Sequence, residues 1–108
     1  MERTTRASYE LVVDDETGQP LWLHWLASSK PEFKDRFGSP IIKYIAQAGG
    51  IADKTLYPYV DGTRKPNLDT LGEIVAAGMD LHGVSEETAR RHIVRLVHRP
   101  IVRQVEAA

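Results

Sequence analysis

Apolar residues in the middle of the chain recur at intervals of three and four, the spacing that places side chains on one face of an α-helix. Glycine, proline and small polar residues separate these apolar segments and supply start and stop signals. The pattern predicts three helices there: residues 41–49, ended by Gly49-Gly50; residues 52–60, ended by Asp61-Gly62; and residues 68–78, capped by Asn67 and ended by Gly78.

Two further helices are predicted, one on each side of this group. Ser29 can cap a short helix over residues 31–37, which Gly38 ends. Ser85 can cap a last helix, which Pro100 ends. Acidic residues in the first turn of this last helix and basic residues in its last turn suit the helix dipole.

The N-terminal segment has a different pattern. Residues 8–14 are rich in β-forming types, residues 15–19 are a polar loop with a glycine, and residues 20–26 are apolar again. This order predicts a β-hairpin. A short helix is the alternative for the second apolar run, because Pro20 suits a first helical position. Both tryptophans of the chain lie in that run.

The segment around Gly50 carries the most specific signal. Two helices that meet at a sharp angle need a small residue where they touch, positive φ in the turn, and apolar residues that lock the second helix to the first. The residues that meet these needs are Ala46-x-x-x-Gly50-Ile51-x-x-x-Thr55-Leu56-x-x-Tyr59, followed by Asp61-Gly62-Thr63-Arg64-Lys65-Pro66-Asn67-Leu68-Asp69-Thr70-Leu71. Over about residues 38–78 the chain resembles the lambda-repressor and Cro-like helix-turn-helix domains.

The resemblance implies a mainly α fold, a repressor-like five-helix bundle with a helix-turn-helix, preceded here by the N-terminal β-hairpin. It also implies that the helix from Ala52 enters the major groove of double-stranded DNA while the preceding helix crosses the backbone. The residues implied to read bases are Ala52, Asp53, Lys54, Thr55, Tyr57 and Pro58. The residues implied to contact phosphate are Ser39, Thr63, Arg64 and Lys65.

The chain departs from the family pattern in several places. The turn has two glycines, and the helix predicted over residues 31–37 is shorter than the family usually shows. Ile42 opens the motif where many relatives carry a polar residue that contacts phosphate. Pro58 lies inside the predicted recognition helix, where it removes one backbone hydrogen bond and crowds the preceding turn, at a cost of about 3 kcal/mol. We therefore expect this helix to be short or kinked at Pro58.

Composition is that of one ordinary globular domain: 108 residues, 42% hydrophobic and 27% charged. Because the chain has no cysteine, it can form neither a disulfide nor a thiolate metal site, and a cytoplasmic location is expected. No apolar run approaches the roughly 18 to 20 residues that span a bilayer, so no membrane partner is expected.

The net charge of −1 gives no general support to a nucleic-acid partner, but the charge is unevenly distributed. Residues 38–66 contain four basic and two acidic groups, and residues 85–108 contain five and three, so each segment carries +2. The predicted DNA-reading unit therefore lies in a basic part of the chain.

The sequence contains no pattern that indicates catalysis, a metal or a cofactor. The histidines lack metal-ligand spacing, the serines lack a nucleophile-elbow context, and no phosphate-cradling glycine loop occurs. Asp14-Asp15-Glu16 lie where a turn favours aspartate and lack the other ligands of a calcium loop. An enzyme is not expected.

Three functions are compatible with these observations. The first is a transcriptional regulator, a repressor that binds a two-fold-related operator as a homodimer. The second is an antitoxin-like or accessory protein that acts mainly through a protein partner, and the third is an interaction module that has lost DNA binding. The expected organisation is an arm and hairpin over residues 1–28, a helix-turn-helix domain over residues 29–99, and a tail over residues 100–108. The hairpin with its tryptophans is either the dimer surface or a lid on the domain's own core.

Overall fold

The computed structural model describes residues 5–100. This part of the chain is mainly helical, with five α-helices, a short 3-10 helix and a two-stranded antiparallel sheet. The elements in chain order are β1 (Thr5–Leu11), α1 (Leu21–Ala27), the 3-10 helix (Pro31–Phe33), α2 (Ile42–Gly49), α3 (Asp53–Val60), α4 (Leu68–His82), α5 (Glu86–Ile93) and β2 (Val94–Pro100). None of these helices has the length and apolar character needed to cross a membrane.

One hydrophobic core joins the helices to the first strand. Helix α4 contacts α1, α2 and α5. The largest fully buried side chains are Trp22, Leu26, Ile45, Leu56, Ile74 and Ile93. The N-terminal segment therefore packs in the same core as the helices that follow it.

The predicted N-terminal β-hairpin is wrong, because the first strand has a different partner. β1 pairs antiparallel with β2, which places Leu11 opposite Val94. The apolar and β-branched residues among residues 94–97 suit a strand, so the last helix ends at Ile93 rather than at Pro100. The pairing closes the two ends of the described chain on each other.

The second apolar run of the predicted hairpin is helix α1, the alternative that Pro20 indicated. Trp22, Leu23 and Leu26 are all buried in this helix, which contacts α4 and α5. A strand would instead turn neighbouring side chains to opposite faces. Because Trp22 is fully buried in the chain's own core, it is not available as a dimer surface.

The helix predicted over residues 31–37 is only the three-residue turn Pro31–Phe33. Asp35 Oδ1 accepts hydrogen bonds from the backbone N–H of Phe37 at 2.8 Å and of Ser39 at 3.0 Å. Bonds of this kind favour a turn over a continued helix. They leave Phe37 78% exposed.

Helix α4 is longer than predicted, because Gly78 lies inside it rather than at its end. A Cβ atom at Gly78 would lie 2.7 Å from the ring of Trp25 and 2.8 Å from Ile93 Cδ1. Glycine is therefore needed here for the close approach of α1, α4 and α5. The helix continues to His82 and ends at Gly83, which has the left-handed conformation common after helices.

The remaining helix signals are confirmed. Helices α2 and α3 lie within one residue of their predicted bounds. Asn67 Oδ1 accepts from the backbone N–H of Thr70 at 2.8 Å, and Ser85 Oγ accepts from that of Thr88 at 3.3 Å. Both side chains therefore cap the first turns of their helices, as their residue types predict.

Candidate nucleic-acid interface

Helices α2 and α3 are joined by a turn of three residues that starts at Gly50. Gly50 has φ +72°, a left-handed conformation that glycine adopts without strain. The N–H of Ile51 donates to the carbonyl of Ala46 at 2.9 Å, which closes the end of α2. The chain can therefore change direction and begin α3 at Asp53.

The glycine before this turn has a separate cause. A Cβ atom at Gly49 would lie 2.8 Å from Ala77 Cβ, so Gly49 allows α2 to approach α4 closely. Gly50 meets no such contact and is required by its backbone conformation. One glycine thus serves packing and the other serves the turn.

The inner face of α3 holds this helix against the rest of the protein. Leu56 is 1% exposed and belongs to the main core. Tyr59 lies half-buried, and its hydroxyl hydrogen-bonds to the hydroxyl of Thr70 on α4 at 3.4 Å. The orientation of α3 is therefore fixed by residues that leave its other face free.

The residues assigned to base reading all lie on α3 or at its N-cap. Their exposure divides them into two groups. The exposed residues are Ala52, Lys54 and Tyr57, and the half-buried residues are Asp53, Thr55 and Pro58. Lys54 and Tyr57 are therefore the two long side chains of α3 that are most accessible to a partner.

Asp53 turns its carboxylate back onto its own helix. Its Oδ1 accepts from the N–H of Lys54 at 2.9 Å. This bond satisfies a first-turn donor and places negative charge at the positive end of the helix dipole. Lys54 is then the charged group of α3 that is free to reach outward.

Pro58 lies inside α3, and the helix continues past it to Val60. The carbonyl of Pro58 accepts from the N–H groups of Thr63 and Arg64 at 3.0 and 3.2 Å, and from the Thr63 hydroxyl at 3.2 Å. These bonds tie the loop after α3 to the end of the helix. They hold Arg64 and Lys65 next to the candidate reading helix.

The four residues assigned to phosphate lie on two loops. Thr63, Arg64 and Lys65 are exposed between α3 and α4, and Ser39 is exposed before α2. The carboxylate of Asp35 accepts from the Ser39 N–H at 3.0 Å. A negative charge so close opposes a phosphate, so Ser39 is the least suited of the four.

Cations on this surface have no carboxylate partners within residues 5–100, unlike three arginines of α5 and β2. We call the four exposed cations of α2, α3 and the loop after α3 the interface cations: Lys43, Lys54, Arg64 and Lys65, none of which forms an ion pair within residues 5–100. The paired cations are Arg90 with Glu86, Arg91 with Glu87, and Arg95 with Asp15. Lys43 was not among the residues predicted from the sequence to contact phosphate, although its position in the first turn of α2 could have indicated this role.

The N-terminus of α2 lacks a side-chain cap. Because Ile41 supplies no acceptor there, the N–H groups of Ile42 and Lys43 have no acceptor among residues 5–100. Helices α4 and α5, in contrast, are capped by Asn67 and Ser85. An uncapped helix start beside a lysine favours an anion, and its backbone offers donors where Ile42 lacks a polar side chain.

No family model, curated protein or solved structure matches the chain. The motif over residues 38–78 and the contacts described above are therefore the observations that bear on function.

Two of the histidines take part in packing. The ring of Trp25 on α1 stacks with His82 of α4, at 4.1 Å between ring centroids, and with His92 of α5, at 4.6 Å. His82 Nε2 also donates to the carbonyl of Trp25 at 2.7 Å. Within residues 5–100, no three metal-binding side chains come together. Spacing along the sequence could not predict this stack, because its members come from three helices.

Proposed function

We propose that the protein is a sequence-specific DNA-binding regulator of transcription, a repressor that reads its site through α3. The observation that carries the proposal is the surface formed by α2, the turn at Gly50 and α3. There, an exposed helix face lies among the four interface cations, which have no partner in the described chain.

Base reading is assigned to the exposed face of α3. Lys54 can donate to the O6 and N7 acceptors of guanine in the major groove. The methyl group of Ala52 and the ring of Tyr57 can make apolar contact with the thymine methyl group. These three side chains present both a charged and an apolar way to distinguish base pairs.

Phosphate contacts are assigned to the flanks of α3. Arg64 and Lys65 lie on the loop after it, and Lys43 lies with the free N–H groups at the start of α2. Contacts of this kind fix register and orientation without reading sequence. They also make affinity fall with salt, because each neutralised phosphate releases counterions.

A single α3 offers a limited contact area, so we propose that two copies bind a two-fold-related operator. The reading helices of such a dimer enter the major groove one helical turn apart, at about 34 Å. Repression follows from occupation of the operator, which blocks access of polymerase.

The experiment is selection of bound sequences from a pool of random double-stranded DNA. We expect enrichment of one sequence with two related halves. The variant Lys54→Ala with Arg64→Ala should lose the enrichment, whereas Glu73→Ala, a charge change on the exposed side of α4, should keep it. Failure of the wild-type protein to enrich any sequence would contradict the proposal.

A further inference from the structure

A groove of about 850 Å³ lies between α4, α5 and the sheet, and none of its lining residues belongs to α2 or α3. Leu68, Leu71 and Val75 of α4 line it, as do Tyr9 and Leu96 of the sheet. The groove is therefore separate from the candidate DNA-reading surface.

The groove exposes large apolar side chains. Leu68 is 72% exposed, Tyr9 54% and Leu96 49%. Tyr9 and Leu96 are directly opposite each other in the sheet register, so they share one face of the sheet. Contiguous apolar surface of this kind marks an interaction site on a protein.

The charges along the rim of the groove follow a simple order. Glu86 and Glu87 occupy the first turn of α5, and Arg90 and Arg91 follow one turn later. Within the chain they pair as Glu86 with Arg90 at 3.8 Å and Glu87 with Arg91 at 3.2 Å. All four side chains are largely exposed, so these pairs are weak and can exchange partners.

We propose that a second copy of this chain occupies the groove, related by a two-fold axis on the groove side of α5, midway between the acidic turn at Glu86 and Glu87 and the basic turn at Arg90 and Arg91. In an antiparallel pair of α5 helices, the acidic turn of one copy faces the basic turn of the other, and the reverse holds at the other end. The two turns are about 6 Å apart along the helix, so both contacts form together. A two-fold interface requires such self-complementarity of one patch, whereas an unrelated partner does not.

The inference deepens the proposed function and rests on it only in that a two-fold operator needs a dimer. Self-association at this groove is a property of the protein without DNA. Its test therefore omits DNA, and its failure is distinguishable from failure of base reading by α3.

The experiment is analytical ultracentrifugation of two charge-reversed variants, alone and mixed. One variant carries Glu86→Arg with Glu87→Arg, and the other carries Arg90→Glu with Arg91→Glu. Each variant alone places like charges at both ends of the interface, which should raise the dimer dissociation constant by about tenfold or more. The equimolar mixture restores opposite charges at both ends and should form a heterodimer.

Three results would overturn the proposal: a wild-type protein that remains monomeric through millimolar concentrations, variants that dimerise as well as wild type, or a mixture that does not associate. Circular dichroism of each variant checks that α5 still forms. Should a charge-reversed variant unfold, Leu68→Glu and Leu96→Glu provide the test, because both positions are exposed and carry none of the α5 charges. Each should give a folded monomer, and a dimer that survives both changes places the interface elsewhere.

Discussion

The protein has two regions that are built in different ways. The interface region, residues 42–66, consists of α2, α3 and the loop that follows, and its members are neighbours in sequence. The closure region consists of α1, α4, α5 and the sheet, in which residue 5 pairs with residue 100. The outer face of the first region carries charges without ion pairs, whereas the second region supplies most of the largest fully buried side chains, among them Trp22, Ile74 and Ile93. We infer that the outer face of the interface region can change without loss of the fold, and that the closure region cannot.

The largest expected effect is that of Trp22→Ala in the closure region. Trp22 is 0% exposed, so the variant loses its apolar burial and leaves a cavity in the core. We expect a loss of about 3–5 kcal/mol in the free energy of unfolding, measured by urea denaturation. Tyr57→Ala in the interface region should stay within about 0.5 kcal/mol, because Tyr57 is 44% exposed.

Trp22→Phe is the matched control for this substitution. The indole Nε1 of Trp22 has no hydrogen-bond partner among the described residues, so phenylalanine removes volume but no hydrogen bond. It should destabilise the protein less than alanine does. Equal losses for Trp22→Ala and Tyr57→Ala would abolish the distinction between the two regions.

The next effect separates two glycines of α4. A Cβ at Gly78 would meet Trp25 and Ile93 within 2.8 Å, whereas a Cβ at Gly72 would meet no atom within 4 Å. Gly78→Ala should destabilise the protein, because overpacking costs about 1–3 kcal/mol and offsets the helix propensity of alanine. Gly72→Ala should stabilise it by up to about 1 kcal/mol. Thermal melting at low protein concentration measures both, and a stabilised Gly78→Ala would show that the helices can separate.

Substitutions in the interface region should change salt dependence rather than stability. Arg64→Ala with Lys65→Ala should reduce the slope of log affinity against log salt by roughly 2, because two phosphates lose their partners. Lys30→Ala with Lys34→Ala is the control, since both cations are exposed outside the region and neither is assigned a phosphate contact. Fluorescence anisotropy at several salt concentrations gives the slopes, and equal slopes for the two variants would remove the loop from the interface.

The smallest effect tests the link between the two regions. Tyr59 on α3 and Thr70 on α4 share a hydrogen bond of 3.4 Å, which is long. Tyr59→Phe should therefore cost at most about 1 kcal/mol in unfolding free energy. A much larger loss, seen in urea denaturation, would mean that α3 depends on this bond for its position.

The accuracy of the sequence predictions also differs between the regions. Signals for α2 and α3 are local: Gly50 and the apolar spacing before it determine where the helices meet, and the structure agrees. The partner of β1 lies at the other end of the described chain, where no local rule could select it. Likewise Gly78 has the residue type of a helix stop, and only the nearby Trp25 ring explains why the helix continues.

For the candidate site, the sequence predicted which residues lie on α3 but not which of them are exposed and which are half-buried. The exposure of Lys54 and the inward turn of the Asp53 carboxylate depend on side-chain geometry, which spacing does not encode. Lys43 forms no ion pair within residues 5–100, because the fold brings no carboxylate of that part of the chain close to it. Sequence spacing does not encode this.

The most direct test of the central claim is the affinity of the protein for its selected DNA site relative to a scrambled duplex, measured at one salt concentration for wild type and for Lys54→Ala. We expect wild type to prefer its site by at least about 10³-fold. Lys54→Ala should weaken binding to that site by about 1–3 kcal/mol and relax the preference at one base pair. A wild-type protein that binds both duplexes equally would contradict sequence reading by α3, and a Lys54→Ala variant that loses the same affinity for both would show that Lys54 contacts phosphate instead.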